Sequence, residues 1–376
     1  MRLQLKPRGG RQCIMGFITL LWVPPAPADR PNCWNSGPRK GAALQRAILP
    51  LIFLLLAALA APAQLPEFYK NVHQLTWVVK DVEAVAGAWA RLGLNDIERH
   101  GEVTIPVEYR GSKALTRVRW TRGRLGAVCI NMYQPVEGTN AWSEFLGRHG
   151  DGVMSLLYLA PSREAFEREA ERLRTAGVRV LQRGAITAGG RTLNYTYLDT
   201  EPQGKYVLGL MYDSHPASLE ASPAAAPSVR IIQFAFVIDS LPPVSAYWKK
   251  LGFPEFEVTH PALTGLFYKG QPAKYEQDLG WQKHGAVPFE WCVPPADSPT
   301  VYAEYLKTHG EGVQHIAFEV SDMDQAIARY KQLGFETVQG GGWGQDGKPG
   351  SGRFGYVDTE RVGGLTIELL WNYRQK

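Results

Sequence analysis

Four side chains in the second half of this 376-residue chain have types and places suited to holding a cation: Gln233, Glu290, His315 and Glu368. Glu290 stands in Val287-Pro288-Phe289-Glu290-Trp291-Cys292-Val293 and Glu368 in Thr366-Ile367-Glu368-Leu369-Leu370. A carboxylate alone in an apolar strand costs free energy unless it is paired or binds a cation. Two of them hold equivalent places in a repeat, and His315 and Gln233 hold its equivalent first-strand places. All four converge if the repeat units pair about a pseudo-two-fold axis. One imidazole with up to three oxygens suits Mn, Fe, Co, Ni or Zn, with one or two positions open to water. Each residue also has an ordinary reading. A lone histidine is commonly a hydrogen-bonded core residue, and only the two matched glutamates turn His315 toward metal. Gln233 stays open, because Gln74 keeps the same amide in a half without such a set.

The elements that must position these groups are repeated along the chain. Gly312-Val313-Gln314-His315-Ile316-Ala317-Phe318-Glu319 and Leu365-Thr366-Ile367-Glu368-Leu369 alternate with period two, the mark of a strand with one buried face. Between them Met323, Ala326, Ile327, Tyr330 and Leu333 recur at helical spacing, with Asp322 as N-cap and Gly334 as stop. The same sentence starts at Gln233, with an N-cap at Ser240, and at Gln74, with one at Asp81; from Gln74 to Gly93, Gln233 to Gly252 and His315 to Gly334 the separation is 19 residues each time. A looser fourth copy runs from Ser155 to Gly177. His149-Gly150-Asp151-Gly152 and His309-Gly310-Glu311-Gly312 lie 160 residues apart, and Asp199-Thr200-Glu201 and Asp358-Thr359-Glu360 lie 159 apart, so a two-module unit is duplicated. The Pro-, Ala- and Ser-rich stretch 213–228 reads as the linker, giving domains over 70–212 and 229–374.

Residues 1–63 read as a leader. An apolar run over 47–61 follows Arg39, Lys40 and Arg46, and Ala61-Pro62-Ala63 is a small-x-small cleavage site, which predicts an exported, periplasmic or extracellular protein; an uncleaved membrane anchor is the alternative. The leader holds eight Lys and Arg and one Asp, so it supplies +7 of the total +5 and the remainder carries −2. No basic stripe remains to favour nucleic acid. Cys129 and Cys292 occupy matching places in the halves and read as two buried thiols, with a bridge between them as the other option.

From about Asn71 to Trp371 the chain resembles the vicinal oxygen chelate superfamily, most clearly in Gly312-Val313-Gln314-His315-Ile316-Ala317, Leu333-Gly334-Phe335, Asp358-Thr359-Glu360 and Gly363-Gly364-Leu365-Thr366-Ile367-Glu368-Leu369. That resemblance implies an α+β fold of four βαβββ modules forming two tandem domains with cupped mixed sheets. It also implies one divalent metal ion in the cup, held by Gln233, Glu290, His315 and Glu368. The Gln, Glu, His, Glu order is similar to glyoxalase I. It implies a lyase or isomerase in which Glu290 or Glu368 moves a proton beside a carbonyl of a small substrate with vicinal oxygens. An extradiol dioxygenase is the second reading, since four modules with an inactive first half suit it, but Gln233 stands where its first histidine belongs. The third is a small-molecule binding protein on the same fold.

In the first half the counterparts of Glu290, His315 and Glu368 are Asn131, Ser155 and Gly209, which cannot hold a divalent ion at useful affinity. That half is expected to be a metal-free partner. His73 falls on the strand face opposite Gln74 and reads as surface; His149 and His309 read as structural groups at helix ends. Tyr356 is either an acid or packing. Gly340 to Gly352 reads as a loop, either a lid over the cup or a solvated turn. With four modules in one chain both cups can form internally, so no dimer is required.

Overall fold

The caps read from the repeat account for where its helices start and stop. Asp81 accepts from the N–H groups of Glu83 and Ala84 to open Val82–Leu92, and Asp322 accepts from Gln325 to open Met323–Gln332. Ser240 makes no such bond before Leu241–Lys250; Pro242 and Pro243 in the first turn, with φ already set for a helix, open it instead. The stop glycines Gly93, Gly252 and Gly334 have φ of 118°, 89° and 86°, a region that side chains avoid.

This computed structural model describes residues 65–188, 191–214 and 229–373, all within the compact unit Pro62–Lys376. The expected leader with its expected cleavage site, and the expected linker beyond Ser214, lie outside the described residues. Among the described residues no helix is long and apolar enough to cross a membrane.

The chain is α+β, built from four βαβββ modules in two tandem pairs. The strands of the first pair are β1 (Gln74–Val78), β2 (Leu94–Tyr109), β3 (Ser112–Leu125), β4 (Val128–Glu137), β5 (Gly152–Leu159), β6 (Val180–Ala188), β7 (Arg191–Leu198) and β8 (Val207–Asp213). Those of the second are β9 (Ile231–Val237), β10 (Glu257–Thr259), β11 (Leu263–Tyr268), β12 (Gln271–Pro272), β13 (Leu279–Gln282), β14 (Phe289–Cys292), β15 (Gly312–Glu319), β16 (Thr337–Trp343), β17 (Gly352–Val357) and β18 (Thr366–Asn372). Every module pairs its first strand parallel to its last: β1 with β4, β5 with β8, β9 with β14 and β15 with β18. The first strands of partnered modules then meet antiparallel, β1 on β5 and β9 on β15, which is the pseudo-two-fold arrangement that makes the candidate ligands converge.

The two pairs differ in closure. In the first, β2 also pairs with β6, so eight strands form a closed ring, a size that side chains can fill. In the second, β11 pairs with β16 but β10 pairs only with β13 among the described strands, leaving the ring open between Thr259 and Leu263. The segment Gly340 to Gly352, expected to be a loop, is half strand: Gly340 to Trp343 belong to β16 and pair with both β11 and β17, leaving only Gly344 to Ser351 as the turn.

The halves interlock by reciprocal contacts. Trp89 Nε1 donates to the Val362 carbonyl (2.8 Å) and Trp77 Nε1 to Gly363 (2.6 Å), while Trp248 Nε1 donates to Gly204 (3.1 Å) in the opposite sense. His149 Nδ1 meets the carbonyl of His309 at 2.6 Å, and His309 Nδ1 meets that of His149 at 2.7 Å. Their Nε2 atoms reach Glu201 (2.6 Å) and Glu360 (2.9 Å). These histidines, expected as structural groups at helix ends, also bolt one half to the other. Burial alone would lower the pKa of His309, but the bonds to Glu360 and to the His149 carbonyl, with the charges of Glu360 and Asp151, carry it above 6.5. A pKa raised on folding adds stability that is complete below the unfolded value and is lost as pH rises through the folded value. The variant His309→Gln is therefore expected to be destabilised by about 1–3 kcal/mol below pH 6.5. Thermal unfolding followed from acidic to alkaline pH should show the gap between wild type and variant narrowing; a constant gap would contradict the charged pair.

Candidate metal centre

Register places the four candidate ligands on one face. Across β14, β9 and β15, Glu290 lies opposite Ala235 and Ala235 opposite His315. Across β9, β15 and β18, Gln233 lies opposite Ala317 and Ala317 opposite Glu368. Directly opposed residues point the same way, and so do residues two apart on a strand. All four side chains therefore rise from the floor of the open cup, around two alanines small enough to leave the centre clear.

The set is buried: His315 is 0% exposed, Gln233 and Glu368 4%, Glu290 6%. One oxygen of each glutamate lies 3.3 Å from His315 Nε2. Gln233 Nε2 donates to Glu290 Oε2 at 2.6 Å and lies 3.4 Å from both Glu368 Oε2 and His315 Nε2. Candidate ligand atoms of Glu290, His315 and Glu368 fall within 4.8 Å of one another. Burial would hold the His315 pKa down, but hydrogen bonds to Glu290 and Glu368 and their charges outweigh it and raise it to about 9. Burial raises the pKa of Glu368 in spite of the His315 bond. Two buried carboxylates against one imidazolium leave excess negative charge, so Glu290, His315 and Glu368 could hold a divalent cation, and Gln233 turns its Nε2 toward them.

Two residues beside the cluster, Gln314 and Tyr302, have no reading in the sequence. Gln314 Oε1 meets His315 Nδ1 at 2.5 Å, and its Nε2 donates to Thr366 Oγ1 at 3.1 Å, leaving Nε2 of the imidazole to face the carboxylates. Neighbours on a regular strand point to opposite faces; a register shift between Val313 and His315 brings Gln314 round. The equivalent shift lies beside Met154 in the first half, where nothing polar results. Sequence alternation carries no sign of such a bulge. Tyr302 and Tyr356 share a hydroxyl contact of 2.6 Å beside the cluster. The repeat offset could have flagged Tyr302 beside Tyr356, since it maps the two onto Trp142 and Tyr197, which also touch, at 3.4 Å. Cys292 Sγ lies 3.5 Å from Glu290 Oε2, and burial pushes its thiol pKa up, so it stays a thiol; Cys129 and Cys292 are both free, not bridged. His73, expected at the surface, is half-buried, its N–H bonded to the Leu157 carbonyl where the start of the chain's first strand meets β5.

The cup above the floor has a volume of about 340 Å³ and is walled by Pro261, Leu263, Trp281, Trp343, Phe354 and Leu370. Its counterpart in the first half has about 30 Å³. There Leu157 stands in register between Gln74 and Gly209, and a Cβ on Gly209 would come within 2.4 Å of the Leu157 side chain. Leu157 thus fills the space of a fourth ligand and demands the glycine. Asn131 is bonded to Trp120 at 2.8 Å, and Tyr133 and Trp142 stack with ring centres 4.4 Å apart.

Residues 232–356 match the sequence profile of the Glyoxalase/Bleomycin resistance protein/Dioxygenase superfamily, a stretch that includes Gln233, Glu290 and His315. No curated protein matches the chain. Among solved structures, a variant of 4-hydroxymandelate synthase from Streptomyces coelicolor superposes with a TM-score of 0.54 at 16% identity, over 82% of this chain and 94% of that one. A catechol 2,3-dioxygenase (TM-score 0.46, 13% identity, 81% and 88% covered) and an Mn(II)-bound glyoxalase from Novosphingobium aromaticivorans (0.44, 15%, 81% and 83%) also match. The profile match thus places residues 232–356 with the glyoxalase/bleomycin resistance/dioxygenase superfamily, and the four βαβββ modules with paired first strands share their fold with the synthase over most of this chain.

Proposed function

We propose that the chain is a divalent-metal-dependent lyase or isomerase of the glyoxalase or epimerase kind, acting on a small substrate with two neighbouring oxygens. The observation that carries this reading is the second buried glutamate. An oxygen-activating iron site of the two-histidine, one-carboxylate type has one acid and two imidazoles; here a single imidazole lies 3.3 Å from each of two carboxylates. One acid more than such a site uses is what proton transfer needs.

A divalent ion held by Glu290, His315, Glu368 and Gln233 would act as a Lewis acid toward the oxyanion that develops when a proton leaves the carbon beside a carbonyl. Glu290 is held by Gln233 at 2.6 Å, whereas the same amide is 3.4 Å from Glu368. Glu368 is the less restrained acid, and burial increases its hold on a proton. It takes the proton on a carboxylate oxygen and returns it to the adjacent carbon. The apolar walls exclude water, and Tyr302 and Tyr356, bonded to each other, keep the side of the cup beside Glu368 rigid. In the same reading residues 1–63 are removed on export, residues 70–212 serve as a metal-free partner, residues 229–374 carry the site, and a monomer suffices.

Elemental analysis of residues 64–376 should find about one divalent ion per chain, lost in His315→Ala and in Glu368→Ala. No bound ion after supply of Mn, Fe, Co, Ni and Zn would leave the small-molecule binding protein as the reading. For the chemistry, proton NMR in deuterated water should show solvent deuterium entering an α-hydroxycarbonyl compound beside its carbonyl. Glu368→Gln should slow this by about 10²–10⁴-fold. Oxygen uptake on a catechol, with no such exchange, would establish the dioxygenase reading instead.

A further inference from the structure

Gln277 is a buried amide with nothing to bond to. It is 6% exposed, it lines the open cup, and neither its Nε2 nor its Oε1 has a hydrogen-bond partner among the described residues. Exchanging the two atoms by turning the amide over changes nothing, since both lack partners. Buried polar groups are ordinarily satisfied, and one left unpaired costs folding free energy. A leucine would fill the same place among Leu263, Leu279 and Trp281 without that cost.

Its position gives the amide a role. Leu279 and Thr259 make the last pairing of β13 with β10, and Gln277, two residues before it, lines the cavity together with Pro261, on the side where the ring of strands is open. Gln277, just before β13, and Leu279 both line the cavity with Gln233, Glu290 and Glu368 on its floor. The gap lies across the ring from β9 and β15, so a ligand seated on the floor has its far end at Gln277. The described residues lining the cup include neither Lys nor Arg, and its charged groups are the two glutamates.

Resting on the functional reading above, we infer that Gln277 is the recognition group for the distal end of the substrate, which is uncharged and presents a hydrogen-bond donor and acceptor side by side, as a primary carboxamide or lactam does. Such a group bonds both atoms of the amide at once. A carboxylate would meet one N–H, no cation and an unpartnered carbonyl.

The test uses the zinc-loaded chain and three probes with the same pair of vicinal oxygens: catechol, 3,4-dihydroxybenzamide and 3,4-dihydroxybenzoate. Dissociation constants are measured by calorimetry for wild type and for Gln277→Leu. Two neutral hydrogen bonds predict that wild type binds the benzamide about tenfold or more tighter than catechol, and the benzoate no tighter than catechol. In Gln277→Leu the benzamide preference vanishes while catechol affinity stays, and the thermal midpoint is unchanged or higher because an unpaired polar group has been removed. Catechol binding without a benzamide preference in wild type, or a preference that survives in Gln277→Leu, overturns the subsite and leaves the functional reading standing. A marked fall in the variant's thermal midpoint also overturns it, by showing that the amide serves the fold. Failure of all three probes to bind the zinc-loaded protein removes the functional reading and the subsite with it.

Discussion

Two carboxylates held at the bottom of an apolar cup are the constraint on which the rest of the second half depends. Desolvating even one such charge costs several kcal/mol, and two within reach of each other repel as well. His315 offsets part of this, which is why its pKa climbs to about 9 although burial pulls it down. Everything around the cluster serves that balance. Gln233 donates to Glu290, Gln314 fixes the outer nitrogen of His315, and Ala235 and Ala317 keep the floor open. As a set these groups could hold a cation, which would offset the remaining negative charge.

The first half shows the same architecture with that constraint lifted. Its strands close into a ring, Leu157 takes the centre, Gly209 gives way to it, and the space left is about 30 Å³. A filled ring is the stiffer object, because close-packed side chains resist rearrangement whereas an open cup has a free edge. The tryptophan, histidine and carbonyl contacts that cross the junction run in both directions, so the open half is held along its whole inner edge by a packed one. A cup that must stay open for a ligand gains its rigidity from a neighbour that does not.

What the sequence disclosed follows from which features are periodic. Strand alternation, capped helices and stop glycines repeat with fixed offsets, so the four modules and the pairing of first strands could be read before any coordinates. The same offsets named Gln233, Glu290, His315 and Glu368, and the register of the strands brings these side chains together. The features that break the period were invisible. Gln314 reaches His315 only because of a bulge, and a bulge leaves no mark on alternation. Pairing with β11 and β17 turns Gly340 to Trp343, glycine-rich and read as a loop, into a strand. Half-burial of His73 depends on how the start of β1 sits against β5. Gln277 lies in a polar stretch with no pattern, and only the opening between Thr259 and Leu263 gives it a place.

That opening also separates the two jobs of the cup. The floor is built from the strands nearest the pseudo-two-fold axis, the most heavily paired part of the sheet, where β9 and β15 each have strands on both sides. Groups that must keep fixed distances from a small ion belong there, because backbone pairing on both flanks leaves their strands little freedom. The wall by β10 to β13 consists of short strands broken by Pro261 and Pro272, which cannot donate to a ladder. Changes of residue or length at that edge disturb few pairings. In the proposed reading, reaction chemistry is confined to the floor while choice of substrate falls to the broken wall, and the second can vary without disturbing the first.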